Sequence, residues 1–321
     1  MEDFPDTAPG SIPLFVLVGP TAAGKTALAI ELAERLRTET ALEAVSADSR
    51  QIYRLMDIAT AKPTPQERAR LPHHLLDVVW PDETYTLSQY QADANRTIAQ
   101  IAARVALPLL VGGTGLYVRA VVDGLAIPQV APSPKLRAQL EAEAVTRGAA
   151  ELHARLAALD PVAAERIGPS NARRLIRALE VTLLSGRPFS AQQGRRPTPY
   201  RPLMLGLNME RAALYARSDV RIDGMLAAGL VEETQRLLAR GYGWGLPSMS
   251  SLGYREIGAY LRGELPLPAA VERFKLATHA YIRRQLTWFR SDTRIIWLDA
   301  ALPTAELAER ALALVRPWRT G

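Results

Sequence analysis

The sequence predicts an α/β protein, a parallel β-sheet flanked by helices and interrupted by an all-helical insertion domain. Three observations lead there. Short apolar and β-branched runs alternate with helically patterned segments near both ends of the chain, the pattern of βα units. The first such run passes directly into a glycine-rich turn that opens a helix. Between about residues 128 and 202 the apolar spacing is helical and no strand-like run occurs.

Taken in order, residues 1–13 contain Pro5, Pro9, Gly10 and Pro13, and a disordered tail is expected there. Residues 14–18 read as the first strand, 25–37 as a helix and 44–47 as a second strand. A strand-like stretch around 75–79, a helix at 87–104 and a strand at 107–111 follow. Strand-like runs return at 203–207 and 295–298, with helices at 212–225 and 231–240 between them, so both ends feed one sheet. In the insertion, helices are expected at 134–147, 149–158 and 171–184, the last capped by Ser170 and closed by Gly186 with Pro188 beyond. The expected organisation is therefore a core of residues 14–127 and 203–321 and an insertion of 128–202, hinged at the proline-bearing 127–134 and 195–202.

Composition narrows the function. At 321 residues with 48% hydrophobic and 22% charged side chains, the chain is neither disordered nor fibrous. No apolar run approaches the roughly 20 residues that span a bilayer, and the acidic start Met1-Glu2-Asp3 is unlike a signal peptide. A cytoplasmic protein with no membrane partner is expected. The absence of cysteine excludes disulfides and thiolate chemistry, and His73, His74, His153 and His279 show no metal-ligand spacing. A formal charge of +6 favours an anionic partner. Only Lys25, Lys62, Lys135 and Lys275 are lysines, so nearly all the positive charge is arginine.

The strongest motif is Gly19-Pro20-Thr21-Ala22-Ala23-Gly24-Lys25-Thr26, which fits G-x-x-x-x-G-K-[ST] between a strand and a helix. This makes the fold P-loop NTPase-like. Glycines let several backbone N–H groups converge on a phosphate, Lys25 adds charge, and the Thr26 hydroxyl is suited to ligate Mg²⁺. The cradle reads a diphosphate-like anion and not a base, so nucleotide binding does not follow from it. Asp48 is the strand-end acid nearby, placed to act as a turn former, a Mg²⁺ partner or a base. A second small-residue loop, VGGTGLY at 111–117, offers the Thr114 hydroxyl at the same sheet edge. Arg173, Arg174 and Arg177 place three charges on about one helical turn, and Arg283, Arg284 and Arg290 interleave with Trp288 and Phe289, a mixture suited to phosphate contact and base stacking. A small-molecule kinase shares the cradle and stays open on these residues alone.

The motifs GPTAAGKT (19–26), SADSRQIY (46–53), MDIATAKP (56–63), VGGTGLY (111–117), RRLIRALEV (173–181), SSLGYRE (250–256) and RRQLTWFR (283–290) together resemble the tRNA dimethylallyltransferase, or tRNA isopentenyltransferase, family. The likeness runs through nearly the whole chain in family order. It implies transfer of a dimethylallyl group from dimethylallyl diphosphate to N6 of the adenosine 3′ of the anticodon in tRNA. It implies that the P-loop holds the departing diphosphate with Mg²⁺ on Thr26, and that Arg217 or Arg221 stabilises its charge. It further implies Asp48 as the general base, with Thr114 beside the adenine or the diphosphate. The anticodon stem-loop would meet Asp48-Ser49-Arg50-Gln51, Thr114, Arg137, Arg173-Arg174-Leu175-Ile176-Arg177, Ser250-Ser251-Leu252-Gly253-Tyr254-Arg255, Arg283, Arg284, Trp288 and Arg290. Nothing in the sequence demands more than a monomer.

Overall fold

The structure is a computed structural model that describes residues 12–320. The described residues up to Val122 and from Thr198 form one compact unit, and Asp123–Pro197 form a second. The first unit opens with β1 (Ile12–Val18), α1 (Lys25–Leu36), β2 (Leu42–Ser46), α2 (Pro65–Arg70), β3 (His73–His74), α3 (Leu87–Ala103), β4 (Leu107–Gly112) and α4 (Gly115–Val122). The second unit holds β5 (Leu125–Ala126), α5 (Pro134–Arg147), α6 (Ala149–Leu159), α7 (Pro161–Ile167), α8 (Ala172–Ser185) and β6 (Gly194–Arg195). The chain then completes the first unit with β7 (Tyr200–Asn208), α9 (Arg211–Ala227), α10 (Leu230–Ala239), α11 (Tyr254–Leu261), α12 (Leu267–Arg290), β8 (Ile296–Asp299) and α13 (Thr304–Thr320).

The sheet of the first unit runs β3-β2-β4-β1-β7-β8 and is parallel throughout. Side-chain alternation along β1 explains why both faces are covered. Phe15 and Leu17 enter a core with Leu28, Leu32, Leu307 and Leu312 on one side. Leu14, Val16 and Val18 enter another with Tyr90, Ile98 and Val118 on the other. All five of these β1 residues are fully buried, as expected for the centre of a parallel sheet. The register pairs Val18 with both Gly112 and Gly206, so the carboxyl ends of β1, β4 and β7 finish side by side. Loops leaving those ends must converge, which is where open parallel sheets bind ligands. A third core of Ile52, Met56, Ile222, Leu237, Tyr254 and Phe274 joins α9–α12 to the loop after β2 and walls that edge.

Several boundaries differ from those read in the sequence. The strand β1 starts at Ile12 and includes Pro13, because only β7 pairs there and β4 joins from Phe15 onward, so the missing proline N–H leaves an incomplete ladder position unaffected. The expected tail at 1–11 lies outside the described residues. β3 stops after two residues, because Leu75 and Asp77 take φ of 61° and 55°, which a strand cannot hold. The helices α2, α4, α7, α11, α12 and α13 are additions to the elements read from the sequence. Asn171, and not Ser170, caps α8 by accepting from the Arg174 N–H. The helical unit also carries a two-residue antiparallel pair, β5 with β6, so it is helical except at that ladder. No helix among the described residues is long and apolar enough to cross a membrane.

Within the second unit, α8 turns Leu175, Ile176, Ala178 and Leu179 into a core with Leu140, Leu152 and Leu156. Glu180 lies fully buried at the edge of that core. It accepts from Arg137 Nε and Nη2 at 2.9 Å each, from Arg177 Nη1 at 2.6 Å and from the Ser133 N–H at 2.8 Å. Burial alone would raise this carboxyl, but those donors outweigh it and hold it below the usual carboxylate range. A depressed carboxyl stabilises the fold fully above its unfolded pKa and loses that contribution as pH falls through the folded value. Glu180→Gln is expected to cost about 2 kcal/mol at neutral pH, and the difference from wild type in thermal unfolding should shrink as pH falls from the ordinary carboxylate range through the depressed folded pKa. A constant difference across that range would show that the ionised form is not what the arginines stabilise.

Candidate active site

The P-loop occupies the turn between β1 and α1. Gly24, at the N-cap of α1, has φ of 91° and supplies no side chain to the helix start, so the first-turn N–H groups stay open to an anion. Lys25 folds back along the loop and donates from Nζ to the carbonyls of Gly19 (2.9 Å) and Pro20 (2.7 Å). Burial and the nearby Arg221 charge lower it to about 8, against an opposing pull from Asp48. A buried carboxamide braces the same loop: Gln285 Oε1 accepts from the Thr21 N–H at 2.9 Å, and its Nε2 donates to the Gly113 carbonyl at 3.0 Å. One side chain of α12 thus sets the spacing between the loops after β1 and β4.

Asp48 follows β2 and forms a turn, its Oδ1 accepting from the N–H groups of Arg50 (2.8 Å) and Gln51 (3.4 Å). Thr114 ties in from the other loop, with Oγ1 accepting from the Ser49 N–H at 3.1 Å. The Tyr281 phenol, on α12, lies beside Thr114. Burial and the Asp48 charge push that phenol up to about 12.

These groups line two adjoining cavities. The first, of about 530 Å³, is lined by Lys25, Thr26, Arg217, Arg221 and Gln285. The second, of about 300 Å³, is lined by Arg50, Ser251, Arg255, Phe274 and Arg284. Asp48, Arg221 and Tyr281 line both. Arg217 and Arg221 stand one turn apart on α9, and Arg217 donates to the Ala300 carbonyl at 3.3 Å. Placement among the cavity walls also lowers Arg221, desolvation being the chief cause. Among the described residues no group of three His, Cys, Asp or Glu side chains is placed to hold a metal. Mg²⁺ sharing its shell with phosphate oxygens and water needs only one or two protein oxygens, for which the Thr26 hydroxyl and Asp48 fit.

The structure therefore gathers Lys25, Thr26, Asp48, Thr114, Arg217 and Arg221 at one sheet edge, with Ser49, Arg50, Gln51, Ser250, Ser251, Leu252, Arg255 and Arg284 on or beside the cavity walls. Other expected RNA contacts are engaged within the protein. Leu175 and Ile176 are core residues, and Arg137 and Arg177 serve Glu180, whereas Arg173 and Arg174 are exposed. Gln51 spends its amide on the Thr60 and Ala61 carbonyls. Tyr254 is buried with its hydroxyl on Glu233 at 2.5 Å. Trp288 packs on Gly115, where any Cβ would collide with the indole, so that ring is no free stacking platform. Phe289 is likewise core, while Arg283 and Arg290 remain exposed. Reading the sequence alone misses Gln285 and Tyr281. Their four-residue spacing on α12 is the signal that could find them.

Comparison with known proteins gives the family. A family model described as IPP transferase matches residues 51–292. A tRNA dimethylallyltransferase of Roseiflexus sp. (strain RS-1) is 52% identical over 307 residues, 96% of this chain and 99% of that one. The chain belongs to the IPP transferase family. Among solved structures, a tRNA isopentenylpyrophosphate transferase from Bacillus halodurans is 38% identical, with a TM-score of 0.71 over 95% of this chain and 96% of that chain. A eukaryotic dimethylallyltransferase described as acting on tRNA gives a TM-score of 0.82 at 26% identity, over 97% of this chain and 80% of that one. The family match begins at Gln51 and so leaves out the P-loop and Asp48, which the Roseiflexus relative's coverage takes in.

Two outcomes follow for this IPP transferase. A lysine held at about 8 is largely neutral above that pH and must regain its proton when an anion arrives. Calorimetry of pyrophosphate binding at pH 8.5 in buffers of different ionisation enthalpy should show proton uptake that Lys25→Met reduces; equal uptake would place the proton elsewhere. Gln285→Leu leaves the Thr21 N–H and the Gly113 carbonyl unpaired, and pyrophosphate affinity should fall by roughly tenfold. Unchanged affinity would remove the brace from the cradle's function.

Proposed function

We propose that this chain transfers a dimethylallyl group from dimethylallyl diphosphate to N6 of the adenosine 3′ of the anticodon in tRNA, releasing diphosphate. As a member of the IPP transferase family it is a tRNA prenyltransferase, and prenylation of a tRNA adenosine is the family reaction. The observation that carries the finer reading is the position of Asp48 on a wall common to two cavities, one lined by the P-loop and the other rimmed by Arg50, Arg255 and Arg284.

In the proposed mechanism the allylic C–O bond breaks and its electron pair leaves with the diphosphate, while the N6 lone pair forms the new C–N bond. The lone pair of the exocyclic amine is delocalised into the ring, so the amine is weak until its proton is taken. Asp48, the one carboxylate on both cavity walls, accepts that proton. The P-loop N–H groups, Lys25, Arg217 and Arg221 stabilise charge as it grows on the leaving group, the largest part of the barrier reduction in such a site. Mg²⁺ held through Thr26 would add further charge neutralisation to the diphosphate. Thr114 acts through the Ser49 N–H to fix the Asp48 turn. The helical unit of Asp123–Pro197 serves as the tRNA-engaging arm, with exposed Arg173 and Arg174 on phosphates. A monomer suffices for all of this.

The direct test combines protein, Mg²⁺, dimethylallyl diphosphate and an anticodon stem-loop, with product read by mass. Prenylated RNA that disappears when the adenosine is replaced supports the reading, and phosphorylated product would overturn it. Asp48→Asn should lower the single-turnover rate by roughly 10²- to 10⁴-fold with RNA affinity retained, whereas an undiminished rate would exclude it as base. Arg173→Ala with Arg174→Ala should weaken stem-loop binding and flatten its salt dependence; identical salt slopes would take that helix face out of the interface.

A further inference from the structure

Four buried side-chain polar atoms among the described residues have no protein partner: Asn208 Oδ1, Thr278 Oγ1, Trp318 Nε1 and Arg319 Nε. Buried hydroxyls are nearly always paired, and an exception at a cavity wall is a place for a partner supplied from outside, a water or a ligand. Of the four, only Thr278 lines either of the two active-site cavities. It is 6% exposed and stands on α12 one turn before Tyr281, so both side chains face the same way. Its cavity continues to Asp48 on one side and to Arg50, Arg255 and Arg284 on the other, and Phe274, Ile222 and Met225 supply apolar walls.

We infer that Thr278 is a specificity-determining residue whose hydroxyl donates a hydrogen bond to a ring nitrogen of the acceptor adenine. The inference rests on the proposed transfer reaction. Flat apolar walls with one placed polar group are what a base taken out of its stack requires. A ring nitrogen is an acceptor only, and a hydroxyl free of protein acceptors has its proton to give. The prenyl chain, with no polar atom, could not satisfy it. The adenine edge carrying N6 would face Asp48 while Thr278 fixes how the ring lies, so the amine is presented and not merely contained.

The test uses Thr278→Val, which keeps the β-branched shape and removes only the hydroxyl. With an unmodified stem-loop, kcat/KM for RNA should fall roughly 3- to 15-fold while KM for dimethylallyl diphosphate stays the same. Thermal stability should be unchanged or higher, because an unpaired buried hydroxyl has gone, and Thr278→Ser should recover most of the activity. Stem-loops carrying 1-deaza-, 3-deaza- or 7-deaza-adenosine at the target then identify the nitrogen. One analogue should cost the wild type a similar factor and cost Thr278→Val nothing further. Wild-type rates in Thr278→Val, a loss confined to KM for dimethylallyl diphosphate, or equal sensitivity of both proteins to all three analogues would each overturn the assignment. Absence of product from wild type with the unmodified stem-loop would instead overturn the transfer reaction itself.

Discussion

The site depends on a concentration of positive charge that the protein's own carboxylates offset only in part. Lys25 is held against backbone carbonyls in a desolvated cleft, Arg217 and Arg221 stand across the same cavity, and Asp48 is the carboxylate whose charge reaches Lys25. Charges in such surroundings interact far more strongly than in water, and an anion of matching size gains that energy on entry. The remaining architecture holds this arrangement in place. The parallel sheet ends β1, β4 and β7 at one edge, the Gln285 carboxamide fixes two of the resulting loops to each other, and Thr114 secures the turn of Asp48. On the proposed reaction, the cleft is prepared for charge that develops on a departing diphosphate, with no rearrangement required of the backbone at that moment.

How far the sequence could be read follows from how local each signal was. The P-loop is eight consecutive residues with a strand before it and a helix after it, and its Gly24 and Lys25 stand where the pattern requires. Alternation of strand and helix made the sheet legible because parallel strands are apolar on both faces and stand out from amphipathic helices. By contrast, Gln285 meets Thr21 across 264 residues of chain, a pairing that no local pattern encodes. The truncation of β3 arises from positive φ at Leu75 and Asp77, and nothing in the residue type of Leu75 announces it.

The arginines teach a related lesson. Arg173, Arg174 and Arg177 look equivalent along the chain, but helix geometry sends the first two outward and brings the third to buried Glu180, where Arg137 arrives from α5. Positive charge in the helical unit is therefore divided between holding the unit together and remaining available to a polyanion. The aromatic residues of the 283–290 segment divide similarly: Trp288 closes against Gly115 and Phe289 enters the core, leaving Arg283, Arg284 and Arg290 as its polar surface. A charge cluster in sequence becomes an interface only after the fold has taken its share.

The central claim is that donor and acceptor meet at Asp48 from separate cavities. A crystal structure of the ternary complex with an unreactive thiolo analogue of dimethylallyl diphosphate and an anticodon stem-loop measures it directly. The account predicts the diphosphate on Lys25 and Thr26, the adenine in the smaller cavity, and N6 about 3 Å from an Asp48 carboxylate oxygen. An adenine seated on the P-loop, or an N6 beyond hydrogen-bonding reach of Asp48 with both substrates bound, would contradict it.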